Sequence, residues 1–139
     1  MEIEASISQS ILISRCSKTT IMVKGKANAI SIDNSPRLSL VIESLVSSID
    51  VIKSSNFALQ VMGTLPTLLM DTVDAAQIYL GKESMNTELF TSKCTGINLN
   101  IIDDASEEGD YKELALPEQI RTVIGKGGKI TSEIVEHAG

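Results

Sequence analysis

The stretch that decides the fold begins ILISRCSKTTIMVKGKANAISIDNSPRLSLVIESLVSSIDVIKSSNFALQV (residues 11–61) and continues to Ile101. Its apolar residues recur at a constant interval of 19. Two series are aliphatic throughout: Ile21, Leu40, Leu59, Ile78, Ile97 and Val23, Ile42, Val61, Leu80, Leu99. Two further series start at Ile11 and Ile13, and only Thr87 interrupts them. Because the series come in pairs two residues apart, they have the period of a strand and not of a helix.

This repeat predicts a parallel β-helix of five turns. Each 19-residue unit holds two short strands that cannot bury their own apolar side, so the units must stack on one another. Stacked strands lie about 4.8 Å apart, which places residues i and i+19 in one vertical ladder. An antiparallel sandwich would also show alternation. The constant interval and the scarcity of Asn-Gly or Asp-Gly turns favour the β-helix.

Length and composition fit one domain, with coils over 1–102 and an extension over 103–139. The chain has 139 residues, no Trp, 3% aromatic residues and a net charge of −6. This charge argues against nucleic acid or an anionic membrane as the partner. Since no apolar run reaches the roughly 20 residues that span a bilayer and MEIEASIS (residues 1–8) lacks the pattern of a signal peptide, we expect a cytoplasmic protein without membrane insertion.

The cysteines and the single histidine exclude two kinds of site. Cys16 and Cys94 fall in different 19-residue series and four turns apart, beyond the roughly 7 Å limit between Cα atoms for a disulfide. We expect two free thiols, as in a reducing compartment. With one His and no Cys-x-x-Cys motif, zinc is not expected, and no other metal or cofactor is indicated.

The C-terminal part departs from the repeat. Gly25, residues 34–36, Gly63, Pro66 and Gly81 mark the expected bends of the coil. Residues 103–110, DDASEEGD, then read as a solvated acidic linker. After an extended segment over 111–117, residues 119–124 and 129–136 flank a Gly-Lys-Gly-Gly turn, which predicts a β-hairpin. Since an isolated hairpin is marginal in water, it must cover an open strand edge of its own coil or of a second copy.

Candidate chemistry is sparse. The run GKGGK (residues 125–129) lacks the spacing of a phosphate-binding loop and fits a turn. Asp33 and Asp71 share an outward series two turns apart, about 9.6 Å, which suits the carboxylate pair of an inverting glycosidase. A carbohydrate-active β-helix enzyme is therefore one alternative function, although nothing else resembles a sugar cleft. A scaffold that only associates with itself is another.

The outward residues of the second strand give a stronger signal. They form the series Met22, Val41, Gln60, Tyr79, Asn98 and Lys24, Glu43, Met62, Gly81, Asn100. A flat face that mixes methionine, valine and tyrosine with charged residues suits a protein partner. Scattered apolar surface residues, common on any protein, are the alternative.

Several segments resemble the C-terminal domain of the adenylyl cyclase-associated proteins: TIMVKGKANAISIDN (20–34), LQVMGTLP (59–66), YLGKES (79–84), ALPEQIRT (115–122) and EIVEHAG (133–139). Their order and spread over the chain make the resemblance specific. It implies a right-handed parallel β-helix that dimerises by exchange of the C-terminal hairpin. It also implies binding of monomeric actin, preferentially ADP-bound, promotion of nucleotide exchange and monomer recycling, and no enzymatic activity.

The resemblance and the outward face together predict two sets of site residues. For actin they are Met22, Lys24, Lys26, Asn28, Asp33, Asn34, Glu43, Gln60, Met62, His137, Ala138 and Gly139. For the dimer they are Ile120, Thr122, Val123, Ile124, Ile130, Ile134 and Val135. The chain departs from the family in its Glu136-His137 pair, which bears on the contacts of the tail.

Overall fold

The chain forms a parallel β-helix in a computed structural model that describes residues 2–84, 86–102, 111–117 and 119–135. Each of five turns contributes one strand to each of two sheets, as the repeat predicts. The first strands of the turns are β2 (Ser10–Ser14), β4 (Ala29–Asp33), β6 (Ser48–Ile52), β8 (Thr67–Asp71) and β10 (Glu88–Ser92). The second strands are β3 (Thr19–Ala27), β5 (Leu38–Leu45), β7 (Ser55–Val61), β9 (Asp74–Leu80) and β11 (Thr95–Ile102).

Two further strands extend the second sheet. β1 (Glu2–Ala5) pairs parallel with β3 at one end, and β12 (Tyr111–Ala115) pairs antiparallel with β11 at the other. The result is a seven-stranded sheet, β1-β3-β5-β7-β9-β11-β12, opposite a five-stranded sheet, β10-β8-β6-β4-β2. β12 thus covers the edge of β11 and is itself the edge strand at this end of the sheet.

The interval of 19 holds for four turns and becomes 21 in the fifth. Leu99 pairs with Ile78, and Ile97 pairs with Ala76. Before the fifth turn the chain makes a 3-10 helix, Lys82–Ser84, and this corner accommodates the two extra residues. The prediction that Ile97 lies over Ile78 is therefore wrong.

Two other ladders shift in the same way. Leu89 pairs with Leu68 and not with Met70, and Ile101 pairs with Leu80 in the place predicted for Leu99. The central ladders remain aliphatic after this correction. The core between the sheets is accordingly built from stacked branched side chains, among them Ile21, Leu40, Leu59, Ile78, Val23, Ile42, Val61 and Leu80, with Phe57 as a buried aromatic residue.

A second regular feature is the left-handed backbone at the bend between each first strand and the following second strand. Each bend has two residues with φ between 48° and 64°: Arg15 and Lys18, Asn34 and Arg37, Lys53 and Asn56, Thr72 and Ala75, Lys93 and Gly96. The first N–H of the bend donates to a carbonyl of the next turn, for example Asn34 to Ile52 O at 3.0 Å. The stacking of turns therefore continues through the corner. Gly25, expected at a bend, instead forms a bulge inside β3.

Small side chains line the inside of this bend. Ser54 Oγ donates to Ile52 O at 3.2 Å and accepts the N–H of Ser35 at 3.1 Å, while Ser35 Oγ accepts the N–H of Cys16 at 3.2 Å. Cys94 stands in the same ladder, since the last interval is 21, and its prediction in a different one is wrong. Both cysteines are free thiols, as predicted.

The C-terminal hairpin forms as predicted. β13 (Gln119–Ile124) pairs antiparallel with β14 (Ile130–Val135), and the turn between them contains the 3-10 segment Lys126–Gly128. The acidic linker predicted over 103–110 lies outside the described residues. No helix in the described part of the chain is long and apolar enough to cross a membrane.

Candidate functional site

Five of the residues predicted to bind actin share the outer face of the seven-stranded sheet. Met22 and Lys24 lie on β3, Glu43 on β5, Gln60 on β7 and Met62 directly after β7, and all five are exposed. Met62 is 60% and Met22 39% exposed, so the methionines offer apolar contact area to a partner. We call the surface formed by Met22, Lys24, Glu43, Gln60 and Met62 the outer face.

The bulge in β3 organises the charged end of the outer face. The N–H of Gly25 donates to Glu43 Oε2 at 2.8 Å, which fixes this carboxylate against the bulge. Lys24 Nζ lies 3.2 Å from Glu2 Oε2 in an exposed ion pair. Because exposed pairs contribute little free energy, a partner can recruit Lys24 at small cost, whereas Glu43 is already held in place.

Lys26 and Asn28 continue from this end with different roles. Lys26 is exposed and pairs with Ser44 in the ladder. Asn28 is half-buried between β3 and β4; its N–H donates to Gln9 O at 2.8 Å and its Nδ2 lies 3.4 Å from Ser10 Oγ. Lys26 is therefore available for a partner, while Asn28 mainly ties neighbouring segments together.

The structure does not bring Asp33 and Asn34 to the outer face. Asp33 ends β4 of the five-stranded sheet, and Asn34 begins the left-handed bend before β5. Along β5, Glu43 lies five residues from Leu38, about 17 Å. Asp33 and Asn34 therefore lie at the opposite corner of the coil from Lys24, and a role for them requires a second contact region.

The tail and the hairpin contribute the remaining predicted residues. His137, Ala138 and Gly139 lie outside the described residues. In the hairpin, Ile124, Ile130 and Ile134 share one face and are 77%, 69% and 63% exposed. On this face Thr122 Oγ1 lies 3.0 Å from Ser132 Oγ.

Among the other predicted dimer residues, Val123 is exposed on the opposite face and Val135 is half-buried. Ile120 pairs with Ile134 in the backbone ladder. Within the part of the chain that the structure describes, Ile124, Ile130 and Ile134 are therefore left exposed.

Sequence reasoning missed the end of the outward series on this sheet. Asn100, and not Asn98, stacks on Tyr79. Asn100 is only 5% exposed and donates through Nδ2 to Gln77 Oε1 at 3.0 Å and to Ile78 O at 3.3 Å. Asn100 therefore has a structural role in β11, next to β12. The exposed surface of the seven-stranded sheet that a partner could contact ends before β11.

The family model described as "Adenylate cyclase associated (CAP) C terminal" matches residues 1–137. The chain belongs to this family. The adenylyl cyclase-associated protein of Schizosaccharomyces pombe is 44% identical over 94% of this chain, and adenylyl cyclase-associated protein 2 of Homo sapiens is 36% identical over 96%. These matches cover 23% and 27% of the two relatives, so the CAP-family domain spans about a quarter of their length.

A solved structure carries the same fold. The cyclase-associated protein of Cryptosporidium parvum superposes with a TM-score of 0.83 at 34% identity, covering 96% of this chain and 83% of the other. The family resemblance seen in the sequence is thus confirmed over nearly the whole CAP-family domain.

Asp33 and Asp71, the carboxylate pair of the predicted glycosidase, do not line a common groove in this CAP-family domain. Asp33, Ile52 and Asp71 stack in one ladder, as predicted. Beside them, an open groove of about 460 Å³ is lined by Asp71, Asp50 and Phe90 among others, but not by Asp33. Among the described residues, no three His, Cys, Asp or Glu side chains are grouped to hold a metal. The groove therefore does not contain both carboxylates of the predicted pair.

Proposed function

We propose that this CAP-family domain binds monomeric actin through its outer face, prefers the ADP-bound form and promotes nucleotide exchange. The observation that carries the proposal is the exposure of Met22 and Met62 beside Lys24, Glu43 and Gln60 in a chain of this family. Flexible methionines fill irregular gaps in a partner, and charges at the rim set orientation and association rate.

Acceleration of exchange requires more than tight binding. A ligand shifts a conformational equilibrium only by its difference in affinity for the two states. The domain must therefore bind the actin conformation that releases nucleotide more tightly than the closed one. A rigid coil suits this purpose because stacked turns hold the outer face in one shape.

We also propose that the domain acts as a homodimer through its hairpin. Ile124, Ile130 and Ile134 expose an apolar face, and a two-stranded hairpin is marginally stable alone. Reciprocal exchange between two copies closes a two-fold assembly and presents two outer faces. Actin as partner places the protein in the cytoplasm with the cytoskeleton, where its two free thiols are in a reducing environment.

The test is release of a fluorescent nucleotide from monomeric actin with and without the chain. We expect faster release, and tighter binding to ADP-actin than to ATP-actin. The double variant Lys24→Ala with Lys26→Ala should weaken binding about tenfold, which corresponds to roughly 1.4 kcal/mol. The control, Lys112→Ala with Lys126→Ala, removes the same charge from exposed positions on β12 and in the hairpin turn and should bind normally.

Two results would refute parts of the proposal. Unchanged affinity of the Lys24/Lys26 variant would remove these lysines from the site. If an intact dimer at saturating concentration does not change the rate of nucleotide release from actin, self-association remains as the function. The alternative function, a carbohydrate-active enzyme, predicts that the chain cleaves a polysaccharide and that Asp33→Asn abolishes this activity. The groove beside Asp71 does not favour this alternative, because Asp33 does not line it.

A further inference from the structure

A column of cations follows the left-handed bend along the coil. Arg15, Lys18, Arg37, Lys53 and Lys93 are all exposed and all occupy left-handed positions of this bend. We call these five residues the basic ridge. It runs along the corner opposite the charged end of the outer face, so neither Lys24 nor Lys26 belongs to it.

Backbone geometry does not account for this choice of residues. Gly, Asn and Asp adopt the left-handed conformation with the least strain. The ten left-handed positions of the bends hold five cations, two Asn and one Gly, together with Thr72 and Ala75, and no carboxylate. The whole chain, by contrast, has 18 carboxylates and 12 cations. An acidic chain that places Lys and Arg where Asp is less strained points to a requirement for positive charge.

Within the described ranges, none of these five cations forms an ion pair. Among the described residues, the ion pairs are Lys24 with Glu2 and Arg121 with Glu133, and neither involves the ridge. Two carboxylates near the bend are engaged elsewhere: Asp71 accepts from Thr72 Oγ1 at 3.0 Å, and Asp74 accepts from Thr95 Oγ1 at 2.7 Å. The ridge therefore keeps its charge available for a ligand.

The spacing of the ridge matches an extended chain. Arg15, Lys53 and Lys93 follow one another at intervals of two turns, about 9.6 Å each. An extended chain in the polyproline II conformation advances about 3.1 Å per residue with three residues per turn. Acidic side chains at every third position of such a segment lie on one side of it and would come level with the three cations. Lys18 and Arg37 form a second column beside the first, so the bound segment would lie along the axis of the coil.

We propose that the basic ridge docks an extended acidic segment of a partner protein. Asp33, Asp71 and Asp74 flank the ridge and would repel a uniformly anionic surface such as a membrane or nucleic acid. A polypeptide, in contrast, can place its carboxylates next to the cations and its neutral residues next to the aspartates. The inference does not depend on actin binding by the outer face.

The test is fluorescence anisotropy of the full chain with a labelled peptide of Glu at every third position separated by Ser and Gly. The triple variant Arg15→Asn, Lys53→Asn, Lys93→Asn should lose at least about tenfold in affinity. Since Asn tolerates the left-handed conformation, its thermal stability should be at least that of the parent chain. The parent affinity should also fall on going from about 0.05 to 0.2 M salt.

The matched control is Lys82→Asn, Lys112→Asn, Lys126→Asn, which changes the net charge equally at exposed positions outside the ridge. Retained peptide affinity in this control supports the proposal. An equal loss of peptide affinity in both triple variants would mean that binding depends only on net charge, which would overturn the proposal. Failure of the parent chain to bind the peptide, or tighter binding to phosphatidylserine vesicles or single-stranded RNA, would also overturn it.

Discussion

Leu99, and not Ile97, lies over Ile78 in the last turn of the β-helix. The two residues that cause this shift are accommodated beside the 3-10 helix Lys82–Ser84, outside the sheets. Ser84 is buried there, and its Oγ donates to Gly63 O at 2.5 Å. The coil therefore tolerates an insertion at a corner because the ladders resume in register beyond it.

The central ladder gives the first prediction. Leu59 is 1% exposed between Leu40 and Ile78. Leu59→Ala should lower the free energy of unfolding by about 2–5 kcal/mol, since it removes buried methyl groups and leaves a cavity. Urea denaturation followed by circular dichroism measures this loss.

The control for this ladder is Leu12→Ala. Leu12 is 73% exposed on β2, so its truncation should change stability by less than about 0.5 kcal/mol. Similar losses of stability in the Leu59 and Leu12 variants would mean that burial in this ladder does not stabilise the fold.

The small ladder at the bend gives a second prediction. Ser54→Ala removes the acceptor of the Ser35 N–H inside a buried bend. The unpaired donor should cost about 1–3 kcal/mol in the same measurement. Ser47→Ala, at an exposed position, should be nearly neutral, and an equal effect of both changes would refute a role for the buried bond.

The fold was predictable from the interval of 19 because stacked turns impose the same length on each circuit. The two-residue insertion was harder to predict. Its sign in the sequence is Thr87, which interrupts an otherwise aliphatic series, while Leu89 two residues later continues the ladder. The left-handed bends were not predictable, since Arg and Lys do not favour that conformation. Tertiary stacking overrides the local preference at these corners.

The candidate site was predictable to a similar degree. Alternation along the second strands identified Met22, Gln60 and Met62 as outward residues, and the structure exposes all three. Asp33 and Asn34 were predicted from the resemblance to the family, which indicates residues but not where they lie on the coil. The chain turns a corner between Lys26 and Asp33, so these residues lie at opposite corners of the coil although they are close in the sequence.

A third prediction concerns strain at the bend. Thr72 has φ 57°, and a β-branched residue is unfavourable in this conformation. Thr72→Asn should raise stability by about 0.5–1 kcal/mol, seen as an increase of roughly 2–4 °C in Tm. Thr91→Asn, in the extended strand β10, should lower it slightly. A gain in the Thr91 variant equal to that at Thr72 would attribute the effect to asparagine itself.

The last prediction separates the hairpin from other routes to a dimer. Ile130 lies on the apolar face with Ile124 and Ile134, and Thr131 lies on the other face. Ile130→Lys should convert a dimer into monomers in analytical ultracentrifugation, because burial of a charge in an apolar interface is costly. Thr131→Lys introduces the same charge and should leave the dimer intact. If Ile130→Lys and a chain ending at Asp110 both remain dimeric, the coil itself forms the dimer contact and the hairpin must stabilise some other edge.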